Sequence, residues 1–321
     1  MPPRRQSVSP SYRQVTVACS RLADTGGQHV VAPGARHQGA GCPPPGGGPS
    51  RSDDASGGRG PVTAPTDAEQ GPNVARMYDY YLGGCHNFAA DRAAAEQILR
   101  IFPDTGIAAQ ANRHFLRRAV RHAAELGVRQ FLDIGAGLPT QGNVHEIVRQ
   151  VAPDSAVVYV DYDEVAVTHA RRLLPADGRT TVVHGDLRRP DELLTHPDVR
   201  AAIDLDRPVA VLLVAVLHFV TDAEQPWDAV ARLRDATAPG SPLVVSHLTT
   251  DGAPPLPTQQ GRAVYQRSSA PLVPRPHADV LRFFDGYDLV DPGLVRVAEW
   301  RPDGEPRERI SHGYAGMGLR R

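Results

Sequence analysis

Phe131-Leu-Asp-Ile-Gly-Ala-Gly-Leu-Pro-Thr140 is the stretch that decides the fold. An apolar run ends in an acid, Asp133, and turns through Gly135 and Gly137 toward a helical segment. Glycine at those two positions lets the backbone come close to a ligand, because no Cβ stands in the way. Downstream, strand and helix signals alternate. Strands are expected at Gln130–Ile134, Ala156–Val160, Thr180–Val183, Val209–Val216 and Leu243–His247, and helices at Gly142–Val151, Glu164–Leu174 and Ala223–Ala236. This βαβα rhythm implies a parallel sheet covered by helices on both faces. Val209–Val216 is apolar throughout, as a central strand buried on both sides requires.

After a helix at His277–Phe284, strands near Tyr287–Val290 and Leu294–Trp300 would complete the sheet with an antiparallel hairpin. The expected fold class is therefore α/β: a Rossmann-like, seven-stranded, mostly parallel sheet over residues 129–321. Upstream, 71–128 reads as an N-terminal helical cap, with helices at Asn73–Leu82, Ala89–Ile101 and Ala108–Leu126. Phe115, Leu116, Ala119, Val120, Ala123 and Leu126 form one stripe on the last of these, and Gly127 stops it. Residues 1–70 are rich in Gly, Pro, Ser and Arg, with sparse large apolar residues. They are expected to be a disordered extension, because they cannot bury enough surface to offset their ordering entropy. Their seven Arg against five acids are too balanced for a polybasic anchor.

Bulk properties exclude several classes. The 321 residues carry a net charge of −1, so no basic field is present to hold a nucleic acid backbone. All 35 basic residues are Arg, which removes any lysine nucleophile or Schiff base. Cys19, Cys42 and Cys85 form no metal-binding or disulfide pattern, and a reducing cytoplasm is the expected setting. The longest apolar run, Val209–Leu217, is too short to span a bilayer. No membrane partner and no metal site are expected.

Three acids follow three successive strands. Asp133 opens the glycine turn. A dinucleotide fingerprint would want a third Gly at position 140, where Thr140 stands, and it normally lacks the preceding acid. Asp-x-Gly-x-Gly instead suits S-adenosylmethionine, which has no pyrophosphate but offers an amino group to a carboxylate. Asp161 closes the second strand, where an acid can accept from both ribose hydroxyls. Asp163 beside it reads as a helix cap. Asp186, followed by Leu187, closes the third strand and could accept from the adenine amino group. His218 lies at the carboxyl end of the central strand and His247 at the end of the fifth. They are the first and second candidates for a general base, each equally readable as a structural histidine.

Several stretches carry a family resemblance. Pro72-Asn-Val-Ala-Arg-Met-Tyr-Asp-Tyr-Tyr-Leu-Gly-Gly84, Asn87-Phe-Ala-Ala-Asp-Arg92, the run around the glycine turn, Pro292–Val295, Trp300–Pro302 and Tyr314–Gly318 are similar to an actinobacterial S-adenosyl methyltransferase family once described as a domain of unknown function. The likeness extends from Pro72 to the C-terminus. It implies a Rossmann-like fold and S-adenosylmethionine as cofactor, with substrates undefined. The chain departs from the family at Cys85-His86, where Lys-Asp is expected. Polar residues concentrated in the cap suggest that Arg76 or Asn87 faces the cofactor pocket and that the cap borders the strand ends.

The reaction expected is methyl transfer from S-adenosylmethionine to an O, N or C atom of a small molecule. The fourth strand is not followed by an Asp/Asn-Pro-Pro-aromatic motif, which argues against methylation of DNA amines. It also lacks the carboxylate cluster of a Mg²⁺-dependent mechanism. Two alternatives stay open at this point: a catalytically silent cofactor-binding regulator and, more distantly, a nicotinamide-dependent oxidoreductase.

Overall fold

A computed structural model describes residues 71–139, 142–304 and 312–321. The extension, with Cys19 and Cys42, and Thr140 of the glycine turn lie outside the described residues. In chain order the helices are α1 (Val74–Tyr81), α2 (Ala89–Ile101), α3 (Thr105–Glu125), α4 (Val144–Arg149), α5 (Glu164–Leu173), α6 (Pro190–Thr195), α7 (Pro197–Ala202), α8 (Pro226–Ala236), α9 (Pro255–Tyr265) and α10 (His277–Leu281). The strands are β1 (Gln130–Ile134), β2 (Ala156–Asp161), β3 (Thr180–His184), β4 (Val209–Val214), β5 (Pro242–Leu248), β6 (Tyr287–Leu289), β7 (Val295–Arg296) and β8 (Gly313–Arg320).

The sheet runs β3-β2-β1-β4-β5-β8-β6, with the two-residue β7 paired to β8. From β3 to β5 all neighbours are parallel, and β8 is antiparallel to β5, β6 and β7. Strand residues alternate between two cores. Leu132, Ile134, Val158, Val160, Val211, Leu213, Leu243 and Val245 face one side, packing with Leu193, Val199, Val230, Leu233 and Phe283. Phe131, Val157, Tyr159, Ala210, Leu212 and Val244 face the other, against Phe115, Val120 and Ala123 of α3 and Val148 of α4. That period of two, with both faces covered, is the architecture the βαβα rhythm requires. The strand order reverses between β1 and β4, and ligands bind outside the carboxyl ends at such a switch point.

Three sequence expectations are corrected. The sheet has eight strands where seven are expected: β8, and not a strand over Leu294–Trp300, lies between β5 and β6. There, after β7, the chain enters a 3₁₀ turn at Val297–Glu299, and Trp300 is fully buried edge-on against Phe115 at 5.3 Å. β8 itself is glycine-rich because it is crowded: a Cβ at Gly318 would lie 2.8 Å from the Cβ of Tyr287. β4 ends at Val214 although the apolar run continues. Ala215 adopts a left-handed φ of 59°, and its N–H is taken by the carbonyl and hydroxyl of Ser246. Val216 and Leu217 therefore pack in the turn.

The cap also differs from a simple 71–128 unit. α3 belongs to the sheet layer through its apolar stripe. The cap proper is a third cluster of Met77, Tyr81, Ala95 and Ile98 from α1 and α2, joined by Val264 and Tyr265 of α9. The long Pro-rich connection after β5 thus supplies a helix to the cap. Asn73 anchors α1 to the strand ends. Its Oδ1 accepts from the Ala75 and Arg76 N–H groups as an N-cap, while its Nδ2 donates to Asp163 Oδ2 at 2.6 Å.

Candidate active site

A cleft opens where β1, β2, β4 and β5 end, roofed by α1 and the N-terminal half of α3. One end is polar and built largely of backbone and carboxylates. Gly135 has φ 75°, and a Cβ there would fall 2.3 Å from Val216 Cγ2, so only glycine lets the chain pass under the β4 turn. Asp161, 9% exposed, accepts from the Gly137 N–H (2.8 Å) and the Asp163 N–H (2.9 Å). Its carboxyl is pushed up by burial, against the pull of those N–H donors. Asp133 is buried at the same end. Burial raises its carboxyl to about 7, with Asp161 adding to the rise and the Arg113 guanidinium opposing it. Arg113, on α3, lines the cleft and donates to the Gly142 carbonyl at 2.8 Å.

The other end is aromatic. Tyr78, Tyr81, Phe219, Tyr265 and Leu248 line it, together with His218, His247 and His312. A hydrogen-bond chain runs from the sheet to α3 and α1. Ala215 N–H donates to Ser246 Oγ, Ser246 Oγ–H to Asn112 Oδ1 at 2.6 Å, Asn112 Nδ2 to Tyr78 Oη, and Tyr78 Oη–H to the Ala109 carbonyl. The left-handed Ala215 is held by this chain, and non-glycine residues in that conformation persist only where surroundings over-determine them.

The two histidines singled out from sequence have different fates. His247 Nδ1 lies 2.6 Å from the Leu248 carbonyl, so it carries the proton, and Nε2 accepts from Arg275 Nη1 at 2.9 Å. Arg275 is 2% exposed and also donates to Leu217, Val220 and Asp222. Burial lowers the His247 ring to about 3. With both nitrogens engaged and protonation this costly, His247 braces the β5 end. His218 Nδ1 accepts from the Leu248 N–H at 3.3 Å, and burial holds the ring well below its ordinary value. The neutral ring therefore keeps its proton on Nε2, which makes no hydrogen bond to a described residue. In this tautomer His218 has no free nitrogen to act as a base.

Four other residues from the sequence reading fall outside the cleft lining. Arg76 is 5% exposed and paired with the fully buried Asp91 at 2.6 Å, its guanidinium 4.8 Å from the Phe88 ring centroid. Asn87 donates to Asp79 Oδ2 and the Gly84 carbonyl. The cap's polar residues satisfy one another, which is how a polar segment can still be core. Asp186 is clamped by Arg188, whose guanidinium also reaches Glu224 and sits over Tyr162, and Leu187 is in the hydrophobic core. In their place the cleft takes Asn73, Tyr78, Asn112, Arg113 and His312. Asn112 and Arg113 had a signal: they interrupt the buried face of α3 one turn before Phe115 and Leu116. Among the described residues no group of His, Cys, Asp and Glu side chains could hold a metal ion.

A switch-point cleft with an acid-x-Gly-x-Gly turn and a second-strand acid holding backbone N–H groups fits a Rossmann-like S-adenosylmethionine-dependent methyltransferase. The chain belongs to the S-adenosyl methyltransferase family, whose model matches residues 63–321, and S-adenosylmethionine is its cofactor. It is similar to the crystal structure of a DUF574 family protein from Streptomyces avermitilis, at 38% identity over 78% of this chain and 98% of that one, with a TM-score of 0.74. A candidate methyltransferase from Thermobifida fusca is similar at 40% identity over 81% and 99%, with a TM-score of 0.75. No curated protein matches the chain.

Proposed function

We propose that the enzyme methylates an O, N or C atom of a small molecule held at the aromatic end of the cleft. The observation that carries this reading is one cleft that is lined by both strand-end carboxylates and a group of aromatic side chains. Asp161 would hold the ribose hydroxyls, and Asp133 and Arg113 the amino and carboxylate groups of the methionyl end. The cofactor supplies a methyl group already activated on a sulfonium. The chain's own residues then need to align the acceptor, exclude water and donate one hydrogen bond from His218 Nε2. His218 is thus proposed as an orienting donor. Among the described residues no helix is long and apolar enough to cross a membrane. We place the enzyme in the cytoplasm on the cysteine pattern of the sequence. Turnover of methyl-labelled cofactor on a metabolite extract tests the proposal. Label should move to a molecule small enough to pass a low-cutoff filter, and label moving only to protein or nucleic acid would refute it.

A further inference from the structure

The acceptor end carries a chemical preference that follows from its walls. Phe219 is tilted 60° to the His218 ring with centroids 4.5 Å apart and lies 5.8 Å from Tyr265, whose hydroxyl meets that of Tyr81 at 3.2 Å. Leu248 and Val297 fill much of the rest. The cleft's charged side chains are accounted for elsewhere. Asp133 and Asp161 lie at the ends of β1 and β2 with Asp163 beside them, and Arg113 acts on Asp133 as well as on Tyr78. Asp79 is 2% exposed and turned into the Gly84–Asn87 turn, where Oδ2 accepts from the His86 N–H and the Asn87 amide.

The titratable groups left at the acceptor end are neutral near pH 7. Burial raises the Tyr78 and Tyr81 hydroxyls and pushes Tyr265 up to about 12, while it lowers the rings of His218, His247 and His312. A ligand charge buried here would lose its hydration, and the Arg275 guanidinium that acts on His218 and His247 is already held by Asp222, His247 and the Leu217 and Val220 carbonyls. The polar handles are neutral ones. His218 Nε2–H is a donor, and His312 Nε2 is buried with no hydrogen-bond partner among the described residues.

Resting on the methyltransferase reading, we infer that the acceptor is an uncharged, ring-containing molecule with an oxygen or nitrogen that takes a hydrogen bond from His218. Contact with the Phe219 and Tyr265 rings then supplies affinity, and the single donor supplies orientation. Anionic metabolites such as phosphate esters, and cationic amines, are disfavoured by desolvation rather than by shape.

The test uses the full chain saturated with S-adenosylhomocysteine, whose binding is measured first by calorimetry. Into that complex at pH 7 are titrated 1-naphthol and 4-phenylphenol, then 1-naphthyl phosphate and 1-naphthylmethylammonium. The neutral pair should bind at least tenfold tighter than the charged pair. Phe219→Ala should weaken the neutral probes about tenfold and leave S-adenosylhomocysteine binding within twofold. Normal cofactor-product binding with charged probes equal or better, with neither neutral probe binding, or with Phe219→Ala indifferent, overturns the inference and leaves the methyltransferase reading intact. Absence of S-adenosylhomocysteine binding overturns that reading and the inference with it.

Discussion

The strand ends and the cap bury charge by different means. At the strand ends the chain buries carboxylates and steadies Asp161 with backbone N–H donors. In the cap the chain also buries charge, but pairs it internally: Arg76 with Asp91, and Asp79 with Asn87 and the His86 N–H. Buried charge is thus no indicator of function in this molecule. What distinguishes a site from scaffold is whether the partner of the charge belongs to the protein.

Breaking the cap pair should have the largest effect. Arg76→Ala leaves Asp91, fully buried, without its guanidinium, and loss of one partner of such a pair costs about 3–5 kcal/mol. We expect a large drop in denaturation midpoint, with the cofactor affinity of the remaining folded fraction little changed. Loss of affinity at unchanged stability would place Arg76 in the site instead.

Asp133→Asn should do the reverse. The folded carboxyl keeps its proton up to about pH 7, whereas the unfolded one loses it near its ordinary value. The wild type is therefore penalised progressively as pH rises from about 4 to about 7, and the penalty is constant above that. Without cofactor, the Asn variant should gain about 4 kcal/mol at pH 8 and nothing below pH 4. Wild-type affinity for S-adenosylhomocysteine should rise with pH through about 7, as the carboxylate forms to meet the ammonium. The variant should bind weakly and without that pH dependence. A pH-independent stability difference would show that Asp133 titrates normally.

The smallest effect should come from the latch between cap and sheet. Asn73→Ala removes the α1 N-cap and the bond to Asp163, for about 1 kcal/mol. Because Asn73 also lines the cleft, cofactor affinity should fall several-fold in isothermal titration. Asn73→Asp keeps the cap but sets a carboxylate against Asp163, and should be worse than Ala for binding.

The parallel half of the fold was legible because its strands announce themselves: Gln130–Ile134 matched in length, and the run at Val209 overshot only where Ala215 turns left-handed. β8 was hidden by glycines that exist for close packing against Tyr287, and α9 by the prolines around it. That Asp133, Gly135, Gly137 and Asp161 line the cleft could be read because their positions after strands have a fixed spacing. The aromatic wall could not. Tyr265 and His312 come from segments distant in sequence and are joined only by tertiary packing. Arg76 and Asn87 misled because a single sequence shows a polar residue but not its partner.

The central claim is that Asp161 holds the cofactor at the polar end of one cleft. The direct measurement is calorimetric titration of S-adenosylhomocysteine into the wild type and Asp161→Ala, with NAD as control. The account predicts wild-type binding in the micromolar range, no NAD binding, and a loss of about 1–3 kcal/mol in the variant from unpaired ribose hydroxyls. Equal affinity in variant and wild type, or preference for NAD, would contradict it.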